Sequence, residues 1–194
     1  MPETDYHVAK VPLLSEEKCG DTSVIKEFNR KMFFAVVDVL GHGSEARALA
    51  IIIETFLAEN CREDLIEIIV GLHEHIKGSR GAAAALCLLD RDSGELKYTG
   101  IGNITVRTIG RVTRRLLSRD GVIGYMIRSP IEKSIKMADN DILLAYSDGI
   151  KENFEFEDNP GIVKLTAKRI ATLVMTQFNK KIDDAICLAL RYRK

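Results

Sequence analysis

The sequence predicts an α+β fold in which strands and helices occupy separate blocks. Three observations carry that prediction. Strand-like segments follow one another without intervening helices between residues 82 and 146. Apolar stripes of helical period stand together near residues 44–76, with a third after residue 160. The strand-like segments are joined by short polar turns suited to antiparallel hairpins, not by the long crossovers that a parallel sheet needs.

Residues 23–28 and 32–38 read as two strands around the polar turn Asn29-Arg30-Lys31, the second too apolar to have a solvated face. From Ser44 the apolar positions Ala46, Leu49, Ala50, Ile53, Phe56 and Leu57 recur every three or four residues and build one helical stripe. Leu65, Ile66, Ile69, Leu72 and Ile76 build a second, ending near Gly78. Residues 82–90 and 95–101 form a hairpin around Asp92-Ser93-Gly94, and short strands are expected at 103–109, 112–118, 122–127, 132–137 and 141–146. Asn159 is the expected N-cap of a third helix, with Pro160 at its first position and Val163, Ala167, Ile170, Ala171, Val174 and Phe178 as its stripe. A strand at 184–190 follows.

The 194 residues are 46% hydrophobic and 29% charged, which suits one domain over 1–194 with a sizeable core and no separate sensor domain. Lys+Arg and Asp+Glu both number 28, so no overall field favours nucleic acid or an anionic membrane. Apolar runs such as Ile142-Leu143-Leu144-Ala145-Tyr146 fall far short of the roughly 20 residues that span a bilayer. The start Met1-Pro2-Glu3-Thr4-Asp5 lacks a basic segment followed by an apolar one, so no secretory signal is expected and a cytoplasmic location is. Cys19, Cys61, Cys87 and Cys187 form no CxxC pair and read as reduced packing residues.

Acids at strand ends are the first chemical signal. Asp38 ends the strand Phe33-Phe34-Ala35-Val36-Val37, Asp148 follows a second strand and precedes Gly149, Asp183-Asp184 opens the last strand, and Asp21 precedes the first strand of the early hairpin. In antiparallel sheets the end of one strand and the start of its neighbour share an edge, so these acids can converge. Taken singly, an aspartate beside glycine is an ordinary turn residue. Together, partly buried carboxylates repel one another and need a cation, and an all-oxygen set without cysteine suits a hard ion such as Mg2+ or Mn2+. A rival reading takes Gly41-His42-Gly43-Ser44-Glu45-Ala46 as a dinucleotide loop of the G-x-G-x-x-A kind. Against it, that fingerprint expects a second parallel strand ending in an acid about 20 residues on, where this chain is still helical.

Asp38-Val39-Leu40-Gly41-His42-Gly43 resembles the DGxGHG motif of the metal-dependent type-2C serine/threonine protein phosphatases, in their SpoIIE-like bacterial branch. Cys19-Gly20-Asp21 is similar to the early GD motif of that branch, Ser147-Asp148-Gly149 to its late [ST]DG, and Asp183-Asp184 to its final DD, all in the family's order. The resemblance implies an αββα sandwich of two antiparallel sheets flanked by helices. It implies two Mn2+ or Mg2+ ions, with Asp38 bridging them and activating water, and Asp21, the Val39 carbonyl, Asp148 and Asp183 completing the shell. Asp184 and Gly149 would support that shell. A catalytic domain standing alone resembles the small stressosome-resetting members of the branch, which implies phosphorylated STAS-domain scaffold proteins as partners.

Two positions depart from the family pattern. Val39 stands where glycine is usual and Ile186 where the final motif has threonine, which predicts a weaker hold on metal. The same departures motivate an alternative, a module that docks these partners without turnover. His42 reads as a turn residue or a proton donor, and Arg80 as a phosphate contact by position alone. His73-Glu74-His75 reads as solvated helix surface, and Arg107, Arg111, Arg114, Arg115 and Arg119 as a basic strand pair.

Overall fold

The computed structural model describes residues 4–13, 16–110, 112–152, 154 and 160–194. Its strands are β1 (Asp5–Val11), β2 (Thr22–Phe28), β3 (Lys31–Val39), β4 (Ala82–Asp90), β5 (Glu95–Ile101), β6 (Thr105–Ile109), β7 (Arg114–Leu116), β8 (Gly121–Val122), β9 (Met126–Ile127), β10 (Lys133–Lys136), β11 (Ile142–Tyr146) and β12 (Ala185–Arg191). The helices are α1 (Gly43–Glu59), α2 (Leu65–His75) and α3 (Ala167–Phe178), with a 3-10 turn at Pro160–Lys164.

Turn chemistry sets the first hairpin. Asn29 and Arg30 both have positive φ, 47° and 62°, the two-residue turn whose twist matches that of the flanking strands. It fixes the register of β2 on β3, from Phe28 opposite Lys31 to Thr22 opposite Val37. Every named strand pairing is antiparallel, in one sheet of order β1-β12-β11-β6-β7 and another of order β10-β5-β4-β3-β2.

Both sheets are covered on two faces, which explains why β3, β4, β11 and β12 are apolar almost throughout. Phe34, Val36, Ala85 and Leu96 from one sheet meet Val106, Leu143, Ala145, Ile186 and Leu188 from the other. On the outer face of the first group, Val37, Val39, Ala84 and Leu86 pack under Ala46, Ile53, Leu57, Ile69 and Leu72 of α1 and α2. On the far side, Leu144, Ala185, Cys187 and Ala189 pack under Ile170, Ala171 and Val174 of α3. The layers therefore run helix, sheet, sheet, helix, the αββα sandwich that the resemblance implies.

The elements depart from sequence expectation in three places. β1 has no counterpart in the reading of the sequence: Asp5-Tyr6-His7-Val8-Ala9-Lys10-Val11 is too polar to signal a strand, and it forms because β12 offers an edge. The single strand expected at 122–127 is the small hairpin β8–β9, turned at Gly124, whose φ is 89°. α3 begins at Ala167, where the Thr166 hydroxyl accepts the Arg169 N–H at 3.4 Å; Pro160 opens a 3-10 turn instead, and Asn159 lies outside the described residues. The four cysteines are free, Cys19, Cys87 and Cys187 buried.

Candidate metal centre

Strand period puts the acids on one edge of the sandwich. In β3 the side chains of Phe33, Ala35, Val37 and Val39 enter the helix-side core, while those of Met32, Phe34 and Val36 enter the space between the sheets. Asp38 continues the second series. Across from it, Thr22 faces α1 and donates its hydroxyl to Glu54, so Asp21, one residue earlier, turns toward the inter-sheet side and stands one step beyond the Thr22–Val37 pair, opposite Asp38. From the facing sheet, the β11–β12 ladder runs out at Tyr146 and Cys187, leaving Ser147-Asp148-Gly149 and Asp183-Asp184 at the same edge. Gly149 permits this closeness: a Cβ there would stand 2.0 Å from the Asp184 carbonyl oxygen.

Hydrogen bonds tie the two sheets at this edge. Ser147 Oγ donates to Asp21 Oδ2 at 2.6 Å and accepts the Ile186 N–H at 3.1 Å. Asp184 accepts two backbone N–H groups, that of Gly20 at Oδ2 (2.6 Å) and that of Leu13 at Oδ1 (2.8 Å). Its carboxylate thus holds the segment that carries Asp21. Asn103 Nδ2 donates to Asp148 Oδ2 at 2.7 Å, and Asp183 Oδ1 accepts the Asp184 N–H at 2.8 Å.

The acids share one electrostatic field. Burial, and next to it the Asp38 carboxylate, pushes the Asp21 pKa well above the ordinary aspartate range, against the Ser147 hydrogen bond. Burial, then Asp148 and Asp183, pushes Asp38 up to about 7. Asp148 is also raised, by burial first and Asp183 next, with Lys180 acting in the opposite sense. Among the described residues no group of three acid, histidine or cysteine side chains stands close enough together to hold a metal ion without rearrangement. The donors nonetheless suit a hard divalent cation: four carboxylates from two sheets, of which Asp21, Asp38 and Asp148 are made costly to ionise by burial and by neighbouring acids.

Other singled-out residues fall into place around this edge. Val39 is fully buried in the helix-side core, so its side chain points away from the face that Asp38 takes. Ile186 is buried between the sheets, where its side chain packs and its N–H bonds Ser147. His42 lies in the loop after Asp38, its Nδ1 2.8 Å from Glu16 Oε1. Arg80 braces the same loop: it donates to the Leu40 carbonyl at 3.1 Å, pairs with Glu45, and stacks closely enough on Gly41 (φ 84°) to leave no room for a Cβ.

The structure also adds and corrects. Ser147 and Asn103 carry hydrogen bonds to the acids that the sequence reading did not give them; Ser147 was visible beside Asp148, while Asn103, 45 residues from Asp148, gave no signal along the chain. His73 is not solvated surface, since its Nδ1 accepts the Gly124 N–H at 3.1 Å and anchors the β8–β9 hairpin to α2. Arg107 is buried, donating to the Phe154 carbonyl and lying 5.0 Å over its ring, so it is no part of an exposed basic strand pair. Arg111 lies outside the described residues. β3 and β4 are antiparallel and joined through two helices, which removes the parallel strand that a dinucleotide loop requires.

Two antiparallel sheets packed between helices, with acids of both sheets on one edge, define a fold of the type-2C phosphatase class. The chain belongs to the stage II sporulation protein E (SpoIIE) family, whose pattern matches residues 29–193. The phosphoserine phosphatase RsbX of Bacillus subtilis (strain 168) is 29% identical over 86 residues, 44% of this chain and 43% of that protein, so the match spans less than half of the relative. A solved structure from the bacterial stressosome, a modular system adapted to control secondary messenger signaling, superposes with a TM-score of 0.89 at 27% identity, covering 97% of this chain and 100% of that one. RsbX solved in complex with magnesium superposes at 0.81 over 98% of this chain and 99% of that one, and the PP2C phosphatase domain of Bacillus subtilis SpoIIE at 0.76 over 97% and 63%, both at 18% identity.

Proposed function

We propose that this chain is a metal-dependent protein-serine/threonine phosphatase that removes phosphate from phosphoserine or phosphothreonine of STAS-domain stressosome scaffold proteins in the cytoplasm, resetting a stress-signalling complex. The observation that carries the reading is the convergence of Asp21, Asp38, Asp148 and Asp183, from two sheets, into one field that raises the cost of ionising Asp21, Asp38 and Asp148. These four carboxylates and the Val39 carbonyl would hold Mn2+ or Mg2+, as two ions. When bound, such ions lower the pKa of a water for in-line attack and offset charge on the phosphoryl oxygens.

The chain's own part is to fix the donors before substrate arrives. Asn103 orients Asp148, Asp184 holds the backbone before Asp21, and Gly149 lets the two acidic loops touch. His42 is held by Glu16, and Arg80 sets the course of the loop between Asp38 and α1. The stressosome partner is supported by likeness to the stressosome structure and to RsbX. The test is phosphate release from a phosphorylated STAS-domain protein: it should need Mn2+ or Mg2+, stop with chelator and be lost in Asp38→Asn. Full turnover by that variant would sink the reading, and metal-dependent hydrolysis of even a small phosphate ester by the wild type would exclude a docking module without turnover.

A further inference from the structure

We infer that Ser147 is the positioning residue that aims Asp21 at the metal. This deepens the proposed metal reading and rests on it. Ser147 is fully buried, and its oxygen has one proton and two bonds. The Ile186 N–H has no choice but to donate, so Ser147 accepts there at 3.1 Å and must direct its only proton to Asp21 Oδ2, 2.6 Å away. This bond fixes the rotation of the Asp21 carboxylate and so the direction of the lone pairs left to ligate.

The backbone side of Asp21 is fixed from the same sheet, because Asp184 Oδ2 takes the Gly20 N–H at 2.6 Å. Asp21 therefore sits in one sheet while its orientation is set by the other. A threonine at 186 is not needed for this: that side chain lies in the inter-sheet core among apolar residues, and only its N–H reaches the site, through Ser147.

The experiment is calorimetric titration of the metal-free full chain with Mn2+, alongside thermal melting in chelator. Wild type should bind Mn2+, and Ser147→Ala should bind it about 10-fold more weakly, within the range typical of losing a residue that orients a ligand. Ile53→Val, in the helix-side core, serves as the control: it should lower Tm comparably and leave Mn2+ affinity unchanged. Ser147→Cys keeps the volume and a weak donor, so it should fold and show a smaller loss. Wild-type affinity in both Ser147 variants would overturn the positioning role while leaving the metal site standing. Affinity that falls only in step with Tm, equally in Ile53→Val, would overturn it too. Absence of Mn2+ binding by wild type, or binding unchanged in Asp38→Asn, would overturn the metal reading and this inference with it.

Discussion

Neutralising Asp38 should make the metal-free protein more stable while destroying its function. In the folded chain the Asp38 pKa is about 7, against an ordinary value of 3.8, because burial and the charges of Asp148 and Asp183 disfavour its carboxylate. A folded-state pKa raised above the unfolded one means that the folded chain holds an extra proton between these values. The stability this confers is complete below pH 3.8 and is lost as pH climbs through about 7. At 1.36 kcal/mol per pH unit the interval corresponds to a ceiling of about 4 kcal/mol lost by neutral pH. Asparagine removes the charge but leaves a buried polar group, so about 2 kcal/mol should be recovered by Asp38→Asn at pH 7.5.

For a chain of this size that gain corresponds to a rise in Tm of about 4–8 °C. The assay is a series of melts in chelator from pH 4 to pH 8. Wild type should lose stability from about pH 4 to about pH 7 and level off above it, the variant should lose less, and the two curves should approach each other toward pH 4. Adding Mn2+ should reverse the order, since a ligand at 100 times its Kd stabilises by about 2.7 kcal/mol and the variant would lack the acid proposed to hold it. An Asp38→Asn protein that melts below wild type in chelator at pH 7.5 would refute the claim that these acids strain the fold.

Three further outcomes follow from the same edge. Gly149→Ala must push the start of β12 away from a Cβ that would stand 2.0 Å from the Asp184 carbonyl, so it should cost about 2–4 kcal/mol and lower Tm by about 5–10 °C in melts; an unchanged Tm would contradict the packing. Arg80→Ala should lower kcat on a small phosphate ester with little change in KM, because the guanidinium is bonded to Leu40 and Glu45; a rise in KM alone would mark it as a phosphate contact instead. Val39→Gly should destabilise by about 2–4 kcal/mol, from a cavity under α1 and added chain entropy, without tightening Mn2+ in a titration; tighter binding would show that the valine crowds the site.

The layers were legible in the sequence because two-sided burial leaves nearly unbroken apolar strands and one-sided burial leaves helical stripes, as in β3 and α1. β1 was not, because its strand character is lent by β12 and not by its own side chains. The strand-end acids were visible as residue types, and the strand ends made their convergence arguable. What no linear reading reaches is direction across the two sheets: that Ser147 serves Asp21, 126 residues away, and that Asp184 serves Gly20, 164 residues away.

That limit explains why Val39 and Ile186 looked like defects. A motif read along the chain assigns each role to a position, so a valine for glycine or an isoleucine for threonine registers as a loss. In the folded chain the alternation of β3 sends the Val39 side chain to the helices, and position 186 reaches the acids through its backbone N–H, which Ser147 accepts whatever side chain stands there. Metal affinity should therefore respond to Ser147 more than to the side chain at 186, which packs between the sheets.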